Sequence, residues 1–237
     1  MTPLRIHARS AGSSPLHGNQ GDRHPAPAPD GPEGLAIAIS REVGARGSSI
    51  AKRTARKLGW QVFTQEHLEY LCANDTARDQ LLSDDSSHVH DWIENQLERL
   101  RTESSTVAEP EMGPLPRVLM TIAARGKAVV VGRGAGYLLP RESTLHVRIV
   151  APLEDRVGFM AQALRLSQEE AEIAVRQREE QRSEFLLRHF GRSFLNATDY
   201  DLVLNSRRLG EEVCADLIAV ALRSKRPRLR PEDHEAV

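Results

Sequence analysis

The chain has 237 residues, 40% of them hydrophobic and 27% charged, which is enough for one sizeable core without requiring two independent domains. Its 32 Lys and Arg against 33 Asp and Glu give no global support for a nonspecific grip on nucleic acid or an anionic membrane, and 4% aromatic content offers little for base stacking. No stretch reaches the roughly 18 uninterrupted apolar residues that span a bilayer, and Cys72 and Cys214 lie far apart without the spacing of a secreted disulfide framework, so a cytoplasmic location is expected.

Residues 1–33 are crowded with Pro, Gly, Ser and His and lack helical or strand periodicity, which predicts a disordered leader with no apolar signal-peptide core. The folded part is expected over 34–224, followed by a polar, proline-broken tail at 225–237. It opens with an apolar strand, Leu35 to Ile39, then the small-residue loop Ser40 to Ser49, then a helix over Ile50 to Leu58. Strand, loop and helix in that order aim free backbone N–H groups and the positive end of a helix dipole at one point, which makes a phosphate cradle. The usual nucleotide-kinase loop reads G-x-x-x-x-G-K-[ST], and the lysine position here holds Gly47.

Gly44 and Gly47 serve either a tight turn alone or a phosphate loop whose amides, Ala45 to Ser49, hold phosphate oxygens. Ser48 and Ser49 are either N-caps or ligand contacts, with Ser48 at the position where such loops meet Mg2+. Arg46 is the nearest cation to the missing lysine, and it points either to solvent or, as a planar guanidinium, to phosphate oxygens. Lys52, Arg53, Arg56 and Lys57 read as a solvated helix face.

Further along, Gln61 to Phe63 is a candidate strand, and Val89, Trp92, Ile93, Leu97 and Leu100 share a helical face that either covers the core or pairs with a second copy in a homodimer. Leu115, Val118, Leu119, Ile122 and Ala123 form another helical face, stopped at Gly126. Ala128 to Val131 is a buried strand, and Arg133 follows it in a glycine loop, where a charge at a strand's carboxyl end has few structural reasons to exist. The same Gly132 to Gly136 loop is a poor dinucleotide fingerprint, because Tyr137 to Ser143 is too short for a crossover helix. Leu145 to Val150 is a strand, and Ser167 with Glu170 predicts a capping box on a charged helix through about Phe185. Asp201 to Leu204 is a strand, and a last helix from about Leu209 carries the stripe Val213, Leu217, Val220. This alternation predicts an α/β fold, a three-layer parallel sheet of about five strands with helices on both faces and ligands at the strands' carboxyl ends. The histidines show no metal-ligand spacing, so no zinc site is expected.

Four short segments in order carry a resemblance: Ile39-Ser40-Arg41-Glu42 with Gly44 and Gly47, Val131-Gly132-Arg133-Gly134, Ala151-Pro152-Leu153-Glu154-Asp155-Arg156, and Asp199 to Asn205. The chain resembles the cytidylate kinase-like family, a branch of the P-loop nucleoside monophosphate kinases, over roughly Leu35 to Leu222. The resemblance implies that 64–125 form an acceptor-side helical insert and 166–198 a lid. It also implies that Arg133 grips the acceptor phosphate and that Glu179 meets the nucleotide. Arg178 and Arg182, an i, i+4 pair, either close over the transferring group or pair with the interleaved Glu172, Glu179, Glu180 and Glu184 on an exposed helix. Gly134 stands where the family pattern has an aspartate. The implied reaction is transfer of the γ-phosphoryl group of ATP to a nucleoside monophosphate, CMP or dCMP by kinship, with Mg2+. Losing the loop lysine and that aspartate leaves open a nucleotide-binding sensor without turnover.

Overall fold

The computed structural model describes residues 34–83, 87–103, 112–191 and 195–225. The expected leader at 1–33 and all but the first residue of the expected tail lie outside them. Five strands form one parallel sheet: β1 (Ala36–Arg41), β2 (Gln61–Phe63), β3 (Ala128–Val131), β4 (Thr144–Val150) and β5 (Leu202–Asn205). The spatial order is β2-β3-β1-β4-β5, with Ile39 of β1 opposite Val131 on one side and Val147 on the other. The central strand is apolar throughout its first four residues because both of its faces are covered.

One layer consists of α1 (Gly47–Leu58) and the last helix, numbered α9 below (Ser206–Ala221), packed on Ile37, Ile39, Val129, Val131, Leu145, Val147 and Ile149. The opposite face, with Ala36, Ala38, Ala128 and Val130, is covered by four helices between β2 and β3: α2 (Gln65–Ala73), α3 (Asp75–Ser83), α4 (Ser87–Glu103) and α5 (Leu115–Arg125). Trp92, Ile93 and Leu97 of α4 are buried against this face, so the helix covers the core of its own chain. One turn of helix, α6 (Ala135–Leu138), follows β3, and β4 is followed by an antiparallel pair, α7 (Leu153–Leu164) and α8 (Gln168–Phe190).

Ser167 and Glu170 form the reciprocal capping box at the start of α8, which runs five residues past Phe185 before Gly191 ends it in a left-handed turn. In α9 the stripe Val213, Leu217, Val220 faces solvent, and the buried face is instead Cys214, Ala215 and Ile218. Cys214 and Ala215 are small, as are Ala51 and Ala55 of α1, which lets the two helices approach closely. The basic run on α1 is not simply solvated: Arg53 binds Glu211 and Glu212, and Lys57 binds Glu212 and Asp216, which ties α1 to α9. Lys225 also belongs to the folded body, bonded to Asp201 and to the carbonyl of Arg141.

Candidate active site

The carboxyl ends of β1, β3 and β4 open into a cleft of about 700 Å³, walled on one side by the start of α2 and on the other by α8. Among the described residues, six arginines and three glutamates line it, with no lysine and no aspartate.

The floor is the loop from β1 to α1. Ala45 donates its N–H to the carbonyl of Glu42, 3.2 Å away, closing a tight turn in which Gly44 has φ +82°. A Cβ on Gly44 would meet the carbonyl oxygen of Arg156 at 2.5 Å, so both backbone angle and space require glycine. Ala45 is fully buried and its amide is used, which removes it from the expected phosphate contacts. The first helical bond runs from Ile50 N–H to Arg46 C=O, leaving the amides of Gly47, Ser48 and Ser49 outside the helical ladder. Gly44, Gly47 and Ser48 line the cleft, and Ser49 lies just behind it.

Arg46 caps α1 in a left-handed conformation, φ 59°. Its guanidinium sits 4.9 Å from the centre of the Phe159 ring and 3.7 Å from Glu211, so it is held toward α7 and α9 rather than turned to open solvent. Arg133, also left-handed with φ 52°, is paired with Glu69 of α2 and lies over the Phe185 ring of α8. It thereby bridges the two walls. Gly134 has φ +71°, and a Cβ there would lie 2.5 Å from the Phe190 ring. An aspartate there, as in the family pattern, requires a left-handed backbone and a shift of the Phe190 ring, which stacks on Tyr137.

On α8, Arg178 is exposed at the rim, while Arg182 is turned inward, its guanidinium donating to the carbonyl of Arg41 at 3.3 Å. Burial lowers the proton affinity of Arg182, with Glu179 opposing it and Arg178 adding to it. Arg176 bonds Glu172 one turn away and takes no part in the cleft. Glu179 is engaged by Arg156, whose Nη1 lies 2.6 Å from its carboxylate. Arg156 also donates to the carbonyls of Val43 and Ala151 and lies 3.5 Å from Glu42. Glu42 in turn accepts from the amide of Ala151 and from Arg148. This network fixes the glycine loop to β4, α7 and α8.

Two cleft arginines escaped the sequence reading. Arg148 had a signal, since Leu145-His146-Val147-Arg148-Ile149 alternates apolar and polar within a buried strand. Arg148 lines the cleft, where it lies over the Tyr200 ring. Arg41 was read as part of a loop, but β1 continues through it, and its side chain enters the cleft.

The donors available to Mg2+ are limited. Among the described residues no group of three or more His, Cys, Asp or Glu is placed to hold a metal, and Glu42 is occupied by arginines. The exposed Ser48 hydroxyl at the start of α1 fits an ion carried mainly by nucleotide phosphates and water.

The model of the cytidylate kinase-like family matches residues 36–208, and the chain belongs to that family. A cytidylate kinase of Sulfolobus acidocaldarius is 31% identical over 97 residues, which is 41% of this chain and 53% of that enzyme, so the match spans about half the relative's length. A solved structure from Eubacterium ventriosum superposes with a TM-score of 0.55 at 16% identity, covering 80% of this chain and 99% of that one, and shares the fold.

Proposed function

We propose that this member of the cytidylate kinase-like family transfers the γ-phosphoryl group of ATP to a nucleoside monophosphate, with CMP and dCMP the first acceptors to test by kinship. The observation that carries the reading is the surplus of arginines in a cleft at the strand ends, beside amides left free at a helix start.

In this reading the amides of Gly47 to Ser49 hold the donor phosphates, Arg133 holds the acceptor phosphate, and Arg178 and Arg182 neutralise charge on the transferring group. Mg2+ would be held by the nucleotide phosphates with Ser48 and would supply charge neutralisation to the donor. The carboxylates favour a phosphate acceptor over an alcohol. Glu42 and Glu179 are engaged by arginines, and a hydrogen bond from Thr64 holds Glu66 below the usual carboxylate range. No cleft carboxylate is thus poised to take a proton from a hydroxyl, and a phosphate oxygen needs none taken.

A coupled assay of ADP release over a panel of monophosphates tests the proposal. Turnover is expected, with Arg133→Ala lowering kcat/KM on the order of a hundredfold while ATP binding persists. Glycine in place of the loop lysine favours the second reading, a nucleotide-binding regulator. Tight nucleotide binding without turnover on any monophosphate would decide for that reading.

A further inference from the structure

The loop lacks a lysine, yet the slot beside it is filled. Arg41 ends β1, and its stem runs through a passage walled by two glycines. A Cβ placed on Gly47 would fall 2.6 Å from Cβ of Arg41 and 2.8 Å from its Cγ, and one on Gly132 would overlap Nη1 of the same side chain. Gly47 is not among the glycines with positive φ, so its backbone angle does not call for glycine; the arginine stem does. A lysine at position 47 and an arginine at position 41 are therefore competing occupants of one space.

The guanidinium ends between Arg182 and the start of α2, and no carboxylate among the described residues pairs with it. Burial and then Arg182 lower its pKa to about 10, with Glu66 opposing them, so it stays charged at neutral pH. A largely desolvated cation beside a second cation is costly, and an anion between them offsets the cost. Arg41 also reaches from Gly47 to Gly132, from the loop that would hold the donor phosphates to the one that carries Arg133.

We propose that Arg41 is the phosphate-binding cation of this cleft, delivered from the end of the central strand and bringing the charge that a lysine at position 47 would bring. Its planar fork engages two phosphate oxygens at once, where an ammonium acts as a point charge. The assignment rests on the nucleotide reading above and moves the lysine's role from Arg46, which is held by Phe159 and Glu211, to Arg41.

Isothermal titration of the full chain with MgATP and with inorganic tripolyphosphate tests it. Arg41→Met, which keeps the stem, is expected to weaken both ligands by about tenfold to a hundredfold. Its ligand-free melting temperature should be equal or higher, since the lost charge has no carboxylate partner. Gly47→Lys alone should lose binding through the clash, and Gly47→Lys combined with Arg41→Gly, which removes the Cβ that a side chain at 47 would meet, should bind better than Arg41→Gly alone. Should Arg41→Met fail to fold, Arg41→Lys and the combined variant carry the comparison.

Wild-type protein that binds neither ligand defeats the nucleotide reading and this assignment together. Wild-type binding that Arg41→Met leaves within about threefold defeats the assignment alone. A combined variant no better than Arg41→Gly overturns the exchange of one cation for the other.

Discussion

Arg156 ties the glycine loop to β4 and α8, and replacing it with methionine isolates that role. Its guanidinium is buried and contacts four groups from three directions: the carbonyls of Val43 and Ala151 and the carboxylates of Glu42 and Glu179. Methionine keeps much of the volume but strands these acceptors. The charge-assisted bond to Glu179 is worth about 1.5–3 kcal/mol, discounted because that carboxylate is 26% exposed and rehydrates. The two carbonyls each lose a donor at about 1 kcal/mol, while Glu42 keeps Arg148 and the Ala151 amide. The total, about 4 kcal/mol, falls within the range for breaking a buried ion pair and lowers Tm by roughly 10 °C for a domain of this size. Thermal denaturation followed by far-UV circular dichroism measures it. Arg156→Met with Glu179→Met should recover part of the loss, because removing both charges leaves none stranded. A single variant melting within about 2 °C of wild type would refute the reasoning.

His146 gives a pH test. It is buried on β4, and desolvation first, then Arg141, lower its pKa from 6.5 to about 4, with Lys225 acting the same way and Asp201 opposing. The unfolded chain therefore binds this proton more readily, so stability is full above pH 6.5 and falls as pH drops toward 4, by about 3 kcal/mol for this residue. Urea titrations across that interval should show a steeper decline for wild type than for His146→Gln, and parallel curves would remove the claim. Gly134→Asp, which restores the family pattern, should lower Tm by roughly 5–10 °C, from left-handed strain plus displacement of Phe190. An unchanged Tm would show that Phe190 yields freely.

The strands were legible because buried parallel strands are written as short apolar runs, and Ala128 to Val131 needed no other information. Capping chemistry is equally local, so Ser167 and Glu170 announced the start of α8. Arg41 was not legible as a cleft residue, since a loop motif and a strand end look alike when the next residues are polar. The orientation of the stripe on α9 was not legible for a related reason. Periodicity finds an apolar face, but which face meets the sheet is decided by close packing of Ala51 and Ala55 against Cys214 and Ala215, and small residues give a weak hydrophobic signal. The pairing of Arg46 with Glu211 and of Glu179 with Arg156 depends on residues far apart in sequence, so no spacing rule reaches it.

The near-neutral chain still concentrates positive charge in one place, and the pairing pattern divides its arginines into two groups. Glu42 and Glu179 neutralise Arg148 and Arg156, which are buried and hold the loop, strand and helices in register. Arg41, Arg178 and Arg182 face the cleft without a carboxylate pairing among the described residues. A guanidinium tolerates partial burial better than an ammonium because it is more weakly hydrated, which accounts for a site built from arginine with no lysine. Arg133 is paired with Glu69, and Glu66 and Glu179 offset part of the repulsion around Arg41 and Arg182. The guanidinium groups still outnumber the carboxylates that line the cleft, and a polyphosphate is the ligand whose charge matches that surplus.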